Sequence, residues 1–201
     1  FGGLMLYQET EAFCYGIDAV LLADFAAETA AKKKTDCRIM DLGTGNGVVP
    51  LILSHKTRAS YIGGIELQAE AAALAEKSAA YNGLSDRLHF FCGNVRDFET
   101  GTMAESFDVV TSNPPYTAGS CGIESRSRAK ALARHELEGS LEDFVSLAAR
   151  LLRDKGSFCM VHRPARMADI FSVCRKYRLE PKELRLVSGK PMERPNILLI
   201  H

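Results

Sequence analysis

The sequence predicts a doubly wound α/β fold built on a largely parallel sheet, and two observations support this. Short apolar segments of strand length alternate with longer segments of helical character along most of the 201 residues, as in βαβ units. The first central segment, 37–40, runs into the glycine-rich turn 43–47 and then into an apolar helix. A strand, a glycine turn and a helix in this order form the ligand-binding corner of such sheets.

The remaining elements follow from periodicity and from helix and turn signals. Asp18 precedes the first helix and is expected to cap it, and Asn82-Gly83 is expected to end the third. The leading residues 1–13 are expected to be extended or to form a hairpin, and 154–156 to form a turn. The predicted strands cover 37–40, 59–65, 88–92, 107–111, 157–162, 179–187 and 196–200, and the predicted helices cover 19–31, 48–55, 68–81, 141–152 and 164–177, with a short helix or turn at 95–98.

Length and composition favour a single domain covering 1–201, since 46% of the residues are hydrophobic and 25% are charged. No apolar run is long enough to span a bilayer and no basic-then-apolar leader is present, so we expect a cytoplasmic protein without a membrane partner. The chain starts at Phe1 without a methionine and stops inside an apolar run, from which we expect incomplete ends.

The six cysteines include no Cys-x-x-Cys pair, and most lie in apolar segments. This pattern favours free, buried thiols in a reducing compartment over a disulfide framework or a zinc site. We therefore expect no metal. The cysteines stand at positions Cys14, Cys37, Cys92, Cys121, Cys159 and Cys174.

Charge is unevenly distributed although the formal net charge is zero. Residues 1–149 contain 13 Lys and Arg against 20 Asp and Glu, whereas 150–201 contain 12 against 5. A basic half is either a footprint for a polyanion or an ordinary solvated face. The same two interpretations stay open for the cations of the aperiodic segment 117–136, a loop length that is usually functional or mobile. Those cations are Arg126, Arg128, Lys130 and Arg134.

The glycine turn has the spacing Gly-x-Gly-x-Gly and not the Gly-x-Gly-x-x-Gly of dinucleotide-binding enzymes, which favours a ligand without a pyrophosphate. Asp41 precedes the turn at the carboxyl end of the predicted strand. The pattern Asp-x-Gly-x-Gly-x-Gly resembles motif I of the class I S-adenosylmethionine-dependent methyltransferases. The resemblance implies S-adenosylmethionine as cofactor, contacted by Asp41 and by the turn residues Gly43, Thr44, Gly45, Asn46 and Gly47.

Two further strand ends are expected at the same edge of the sheet. Glu66 ends the second strand, where its carboxylate can accept hydrogen bonds from both ribose hydroxyls of a nucleoside-like cofactor, with Leu67 beside it. Asn94-Val95 follows the third strand, where methyltransferases often place an aspartate against the adenine amine. The Asn94 side-chain oxygen can accept the same hydrogen bond.

The tetrapeptide Asn113-Pro114-Pro115-Tyr116 follows the fourth predicted strand. Asn-Pro and Pro-Pro also occur in ordinary turns, but the position beside the glycine corner favours methyl transfer to a planar nitrogen. The Asn113 side-chain oxygen, next to the cofactor, and the Pro114 carbonyl can each accept an N–H bond from an amino group. The two prolines hold these acceptors in place, and Tyr116 can stack on a flipped base.

Four segments read together give a more specific resemblance. They are 15–23 (Tyr-Gly-Ile-Asp-Ala-Val-Leu-Leu-Ala), 41–47, 113–116 and Arg134-His135-Glu136 followed by 141–144. Together they are similar to the bacterial family of tRNA1(Val) adenine-37 N6-methyltransferases and its less characterised relatives. The resemblance implies a Rossmann-like seven-stranded sheet with an antiparallel last strand, and a tRNA substrate. It also implies a leading segment 1–31 that covers the methionine end of the cofactor, with Gly16 and Asp18 as contacts, and 117–136 as a substrate-side loop.

Other readings of the same residues stay open. Asn-Pro-Pro-Tyr also suits the side-chain amide of glutamine in a protein or the N2 amine of guanine in RNA. A non-enzymatic scaffold that binds RNA or a partner protein is a second class, and a nicotinamide oxidoreductase is disfavoured by the glycine spacing. The expected oligomeric state is a monomer.

Overall fold

The computed structural model describes residues 3–8, 16–33, 36–116 and 139–201. The predictions for 117–136, including Arg126, Arg128, Lys130 and Arg134, and those for Cys14 and Cys121 lie outside the described residues. Within the described ranges the helices are α1 (Ile17–Ala31), α2 (Val48–Lys56), α3 (Ala69–Tyr81), α4 (Leu141–Leu151) and α5 (Met167–Lys176). The strands are β1 (Arg38–Leu42), β2 (Tyr61–Glu66), β3 (Leu88–Cys92), β4 (Phe107–Ser112), β5 (Leu152–His162), β6 (Leu184–Val187) and β7 (Ile197–Ile200).

The strands form one sheet in the order β3-β2-β1-β4-β5-β7-β6. Strands β1 to β5 are parallel, and β7 is antiparallel to both of its neighbours. The structure confirms the predicted doubly wound fold with an antiparallel last strand. The chain winds outward from β1 to β3 and then crosses back to β4, so the order reverses between β1 and β4. Ligands bind at such a reversal because the connecting loops diverge there and leave a crevice.

Each face of the sheet carries its own apolar layer, because successive side chains of a strand point to opposite faces. Ile39 of β1 packs with residues of α1 and α2, whereas Met40 packs with residues of α4 and α5. Helix α1 belongs to the first layer, with Leu22 and Phe25 almost completely buried. It is therefore a core helix of the three-layer structure.

The first turn of α1 differs from the prediction. Gly16 is the N-cap residue and no side chain caps the helix, so the expected capping role of Asp18 is wrong. Asp18 lies inside the first turn, and its carboxylate accepts a hydrogen bond from Tyr116 instead. Capping requires a side chain just outside the helix, and the helix starts at Ile17, two residues too early for Asp18 to fill that position.

The start of β5 is a second difference. The predicted turn at 154–156 lies within the strand, which begins at Leu152. The register against β4 shifts between Phe107 and Val109, and Lys155 has a φ of 59°. An irregularity of this kind absorbs turn-forming residues without ending the strand. Two smaller differences concern β6, which begins later than predicted, and α5, which is preceded by a separate 3-10 turn, Pro164–Arg166.

The leading residues 4–8 lie along the end of α3 without a regular element of their own. The Asn82 side chain pairs with both backbone groups of Met5, accepting from the amide at 3.0 Å and donating to the carbonyl at 2.7 Å. The Tyr7 amide donates to Ser78 Oγ. The helix-ending Asn82 therefore also attaches the leading segment to α3.

The described cysteines are free thiols, three of them buried (Cys37, Cys159 and Cys174) and one exposed (Cys92). Burial raises the pKa of the Cys37 thiol to about 11, so it stays protonated at neutral pH. In the described ranges no three His, Cys, Asp or Glu side chains cluster closely enough to hold a metal ion. None of the helices there combines the length and apolar character needed to cross a bilayer.

Candidate functional site

The strand register brings three of the predicted motifs to one edge of the sheet. Leu42 of β1 pairs with Ile65 of β2 and with Ser112 of β4. The next residue along each strand is Gly43, Glu66 or Asn113, so these three follow one another across the carboxyl edge. The third strand joins them because Cys92 pairs with Glu66, which places Asn94 two residues beyond that level.

The glycines of the turn differ in what they leave room for. Gly45 has a φ of 57°, and a Cβ there would meet nothing within 4 Å, so its backbone faces open space. Gly47 has a φ of 81°, and a Cβ there would lie 2.8 Å from the Ala75 Cβ of α3. A Cβ on Gly43 would meet the Phe144 ring at 3.1 Å. Only Gly45 thus suits close approach by a ligand, whereas Gly47 permits α2 and α3 to pack.

Glu66 shapes the turn as well as facing the crevice. Its Oε2 accepts the Gly45 amide at 2.8 Å and its Oε1 accepts the Gln68 amide at 2.8 Å. An ionised carboxylate offers about four lone-pair sites, so each oxygen keeps one for a further donor. Glu66 can therefore hold the turn and still accept two hydroxyl groups. The first of these roles has no signal in the sequence, because it depends on the pairing of β1 with β2.

Asp41 and Thr44 are two buried polar residues, the first just before the glycine turn and the second within it. Asp41 is 2% exposed, and its Oδ1 accepts the Thr111 hydroxyl at 2.6 Å. Burial raises the pKa of the Asp41 carboxyl to about 7, with the hydroxyls of Thr111 and Thr44 acting against this shift and the nearby Glu66 acting with it. The Thr44 hydroxyl is buried beside this carboxyl.

We expect the raised pKa of Asp41 to make folding stability pH-dependent. A carboxyl whose pKa is higher in the folded state contributes stability that is present below about pH 4 and is lost as pH rises through about 7. Asp41→Asn keeps an acceptor for Thr111 but does not titrate. Relative to this variant, the wild-type free energy of unfolding should fall by at most about 4 kcal/mol across that interval. Urea unfolding between pH 4 and pH 8 measures the difference, and a pH-independent difference would contradict it.

The Asn113-Pro114-Pro115-Tyr116 segment leaves two acceptors available. The Asn113 side chain is half-buried and, within the described ranges, hydrogen-bonds to no other group. The buried Pro114 likewise has a carbonyl that accepts no backbone amide from those ranges. Ser112, just before them, is fixed by donating its hydroxyl to the Leu42 carbonyl at 3.1 Å. The edge of β4 therefore presents two oxygen acceptors that no group in the described ranges uses.

Tyr116 is in contact with three other residues of the site. Its hydroxyl donates to Asp18 Oδ2 at 2.7 Å. The Arg163 guanidinium lies 4.5 Å from the ring centre, and the His162 ring meets it edge-on at 5.2 Å. Burial, followed by the hydrogen bond to Asp18, raises the pKa of the Tyr116 hydroxyl, which keeps it neutral.

His162 and Arg163 are site residues that the sequence analysis missed. They lie at the carboxyl end of β5, and only the sheet order shows that this end adjoins β4. His162 is 3% exposed, and its Nδ1 accepts the Arg163 amide at 2.7 Å. Burial, helped by Arg166 and Arg163, lowers the pKa of His162 to about 4. The imidazole is therefore neutral at pH 7.

The other predicted contacts occupy less distinctive positions. Asn94 Oδ1 accepts the Arg96 amide at 3.0 Å, which holds the turn after β3, and Val95 is buried in the core. The Leu67 carbonyl accepts a weak bond from the Cys92 thiol. Asn46 is half-buried and Gly16 is exposed.

The basic excess of 150–201 is partly neutralised in the folded protein. Counting only partners among the described residues, six of its cations form ion pairs with carboxylates, which favours the solvated-face interpretation for those side chains. The pairs are Arg153–Asp108, Arg166–Asp169, Arg175–Glu180, Lys176–Glu142, Arg185 with Glu28 and Glu183, and Lys190–Glu193.

Comparison with known proteins agrees with this geometry. The family described as the methyltransferase small domain matches residues 18–176. A tRNA1(Val) (adenine(37)-N6)-methyltransferase of Porphyromonas gingivalis is 32% identical over 92% of this chain and 72% of its own. The enzyme of the same name from Bacteroides thetaiotaomicron is 30% identical over 100% of this chain and 81% of its own. The resemblance stated from the motifs is thereby confirmed.

Solved structures show the same architecture at lower sequence identity. A predicted O-methyltransferase of Agrobacterium tumefaciens superposes with a TM-score of 0.67 at 23% identity, covering 91% of this chain and 78% of its own. Geranyl diphosphate C-methyltransferase of Streptomyces coelicolor, crystallised with S-adenosyl-L-homocysteine, gives 0.64 at 12% identity, covering 90% and 75%. At identities this low, the superposition shows a shared fold and nothing more.

Proposed function

Because this chain belongs to the methyltransferase small domain family, we propose that it transfers a methyl group from S-adenosylmethionine to the N6 amino group of adenine in structured RNA, with tRNA as the substrate. The observation that carries the proposal is the pair of available acceptors, Asn113 Oδ1 and the Pro114 carbonyl, which lie one and two residues beyond the last pair of β1 with β4. The relatives at about 30% identity, named as tRNA adenine methyltransferases, support the choice of base and RNA.

The residues around the glycine turn would hold the cofactor. Glu66 has lone pairs left for two ribose hydroxyls, and Gly45 leaves space for close approach. S-adenosylmethionine supplies the methyl group as an electrophilic carbon on its sulfonium sulfur. The protein's contribution is to place that site next to Asn113, since proximity and alignment account for much of the acceleration in such transfers.

Asn113 and Pro114 act on the amino group of the base. The exocyclic nitrogen is a poor nucleophile because its lone pair is delocalised into the ring. Accepting both N–H bonds raises electron density on the nitrogen and favours its pyramidal form. With S-adenosylmethionine bound, this lone pair would form the N–C bond as the C–S bond breaks, and the extra proton would pass to water. Because the methylated nitrogen loses this proton readily, the reaction does not require the buried, neutral His162 to act as a base.

Methyl transfer to tRNA tests the proposal. The purified protein is incubated with tritiated S-adenosylmethionine and tRNA from cells that lack the modification, and the digested nucleosides are identified by mass spectrometry. We expect label in N6-methyladenosine. Label in N2-methylguanosine, label in a release-factor glutamine supplied in parallel, or no label in any acceptor would contradict the assignment.

The location and assembly of the protein are part of the proposal. The proposed tRNA substrate favours a cytoplasmic location. The monomer expected from the sequence stays a prediction.

Replacing Glu66 tests cofactor recognition. Glu66→Ala removes the carboxylate that accepts two backbone amides and that we propose accepts two ribose hydroxyls. Cofactor affinity should therefore fall by about 10- to 100-fold, since a hydrogen bond to a charged group contributes about 1.5–3 kcal/mol. Calorimetry with S-adenosylhomocysteine measures the change. The control is Glu70→Ala, an exposed carboxylate in the first turn of α3. Equal affinities of the two variants would reject the role of Glu66.

A further inference from the structure

The Tyr116 ring is fixed by groups from separate parts of the chain. Its hydroxyl donates to Asp18 in the first turn of α1 at 2.7 Å. One ring face is covered by the Arg163 guanidinium from the end of β5, at 4.5 Å. Arg163 is itself held, because its Nη1 donates to the Asn196 carbonyl just before β7 at 3.1 Å. His162 contacts the ring edge-on. These contacts restrict the ring at its tip, on one face and at one side.

Asp18 is a rigid acceptor because α1 is a core helix. Ala19 follows it directly with 4% exposure, and Leu22, one turn later, is completely buried. The far end of the helix is also attached, since Lys33 donates to the Lys155 carbonyl at the start of β5. The position of the Asp18 carboxylate is therefore set by the packing of α1 on the sheet and not by the flexibility of a surface loop.

One face of the Tyr116 ring is the surface on which we place the target base. Within the described ranges the other rings and cations that contact the Tyr116 ring are those of Arg163 and His162, so we assign the face opposite Arg163 to a flat base that enters beside Asn113. The hydroxyl bond to Asp18 prevents the ring from swinging away from that orientation. A guanidinium on the far face adds a cation–π attraction that resists the same movement.

We propose that Asp18 is a positioning residue, which acts through its hydrogen bond to the Tyr116 hydroxyl to hold the ring as the stacking platform for the target base. Arg163 completes the platform from the other face. This inference rests on the proposed function, because it assigns the base to the Tyr116 ring. It gives the leading helix a role in substrate placement that differs from the direct cofactor contact expected from the resemblance.

Four variants separate the two roles of Asp18. Asp18→Ala removes the acceptor, Asp18→Asn keeps an acceptor oxygen without the charge, and Tyr116→Phe removes the hydroxyl but keeps the ring. The double variant Asp18→Ala/Tyr116→Phe removes both ends of the bond. Steady-state kinetics with tRNA and calorimetry with S-adenosylhomocysteine are measured for each, together with the spectrum of the free protein labelled with ¹³C-tyrosine. The Tyr116 ring signal is identified by its absence in Tyr116→Phe.

We expect Asp18→Ala and Tyr116→Phe each to lower kcat/KM for tRNA by about tenfold, part of what loss of base stacking would remove. The double variant should be no worse than either single variant, because all three lack the same bond. Asp18→Asn should restore transfer to within about threefold of wild type, and cofactor affinity should change by less than about twofold throughout. In the free protein the Tyr116 ring signal should shift in Asp18→Ala and stay in place in Asp18→Asn.

Multiplicative losses in the double variant would overturn the proposal, as would an unshifted Tyr116 signal in Asp18→Ala. A tenfold loss of cofactor affinity in Asp18→Asn would also overturn it, since that result requires the charge and not the acceptor. The ring signal needs neither cofactor nor RNA. Absence of transfer by wild type combined with a shifted signal in Asp18→Ala would thus reject the proposed function while leaving the Asp18–Tyr116 bond established.

Discussion

Replacing Asn113 with alanine is expected to slow methyl transfer by about 100- to 1000-fold, the loss typical of removing one preorganised group that stabilises a transition state. The side chain has no hydrogen bond to the described part of the protein, so its removal leaves no buried partner unsatisfied. Cofactor affinity and the midpoint of thermal unfolding should therefore stay close to wild type. Single-turnover transfer to tRNA, calorimetry with S-adenosylhomocysteine and thermal unfolding measure the three quantities.

Ser112→Ala is the matched control for this prediction. Ser112 is the preceding residue at the same strand end, but its hydroxyl points into the protein and donates to Leu42. The variant should lose a little stability, about 1 kcal/mol for one neutral hydrogen bond, and keep the rate of the chemical step. If Asn113→Ala transferred methyl groups as fast as Ser112→Ala, the acceptor role of Asn113 would be untenable.

Alanine at Gly47 should mainly lower the stability of the protein, whereas alanine at Gly45 should mainly lower its affinity for the cofactor. At Gly47 the new Cβ would lie 2.8 Å from the Ala75 Cβ and 3.1 Å from the Phe90 ring. Overpacking combined with a left-handed backbone should lower the free energy of unfolding by about 3 kcal/mol. At Gly45 the space is open, so only the backbone contribution of about 1 kcal/mol is expected. The methyl group there would, however, enter the volume left for the cofactor.

Urea unfolding and calorimetry with S-adenosylhomocysteine distinguish the two positions. Gly47→Ala should show the larger loss of stability, and Gly45→Ala should show the larger loss of affinity relative to its loss of stability. Equal losses of stability would mean that α3 moves away to accommodate the methyl group. Wild-type affinity in Gly45→Ala would show that the cofactor does not approach the turn at this residue.

Several features of the site could be predicted from the sequence because they depend on residues adjacent in the chain. The glycine turn follows its strand directly, and Asn113-Pro114-Pro115-Tyr116 follows another, so the spacing within each segment carries the information. The alternation of strands and helices determines in the same way that the sheet is mostly parallel. Parallel strands present their carboxyl ends at one edge, which is why Gly43, Glu66 and Asn113 meet as expected.

The tertiary structure decides which hydrogen bonds these side chains form. Tyr116 and Asp18 are 98 residues apart, and Glu66 and Gly45 are 21 residues apart. Such pairs form only once the strand order and the packing of α1 on the sheet have been set, so no local pattern predicts them. The same reason explains why His162 and Arg163 were missed and why six C-terminal cations are paired with carboxylates. The sequence by itself determined the fold class and the chemical groups at the sheet edge, and the folded chain decided which of them are held by neighbours and which remain available to a ligand.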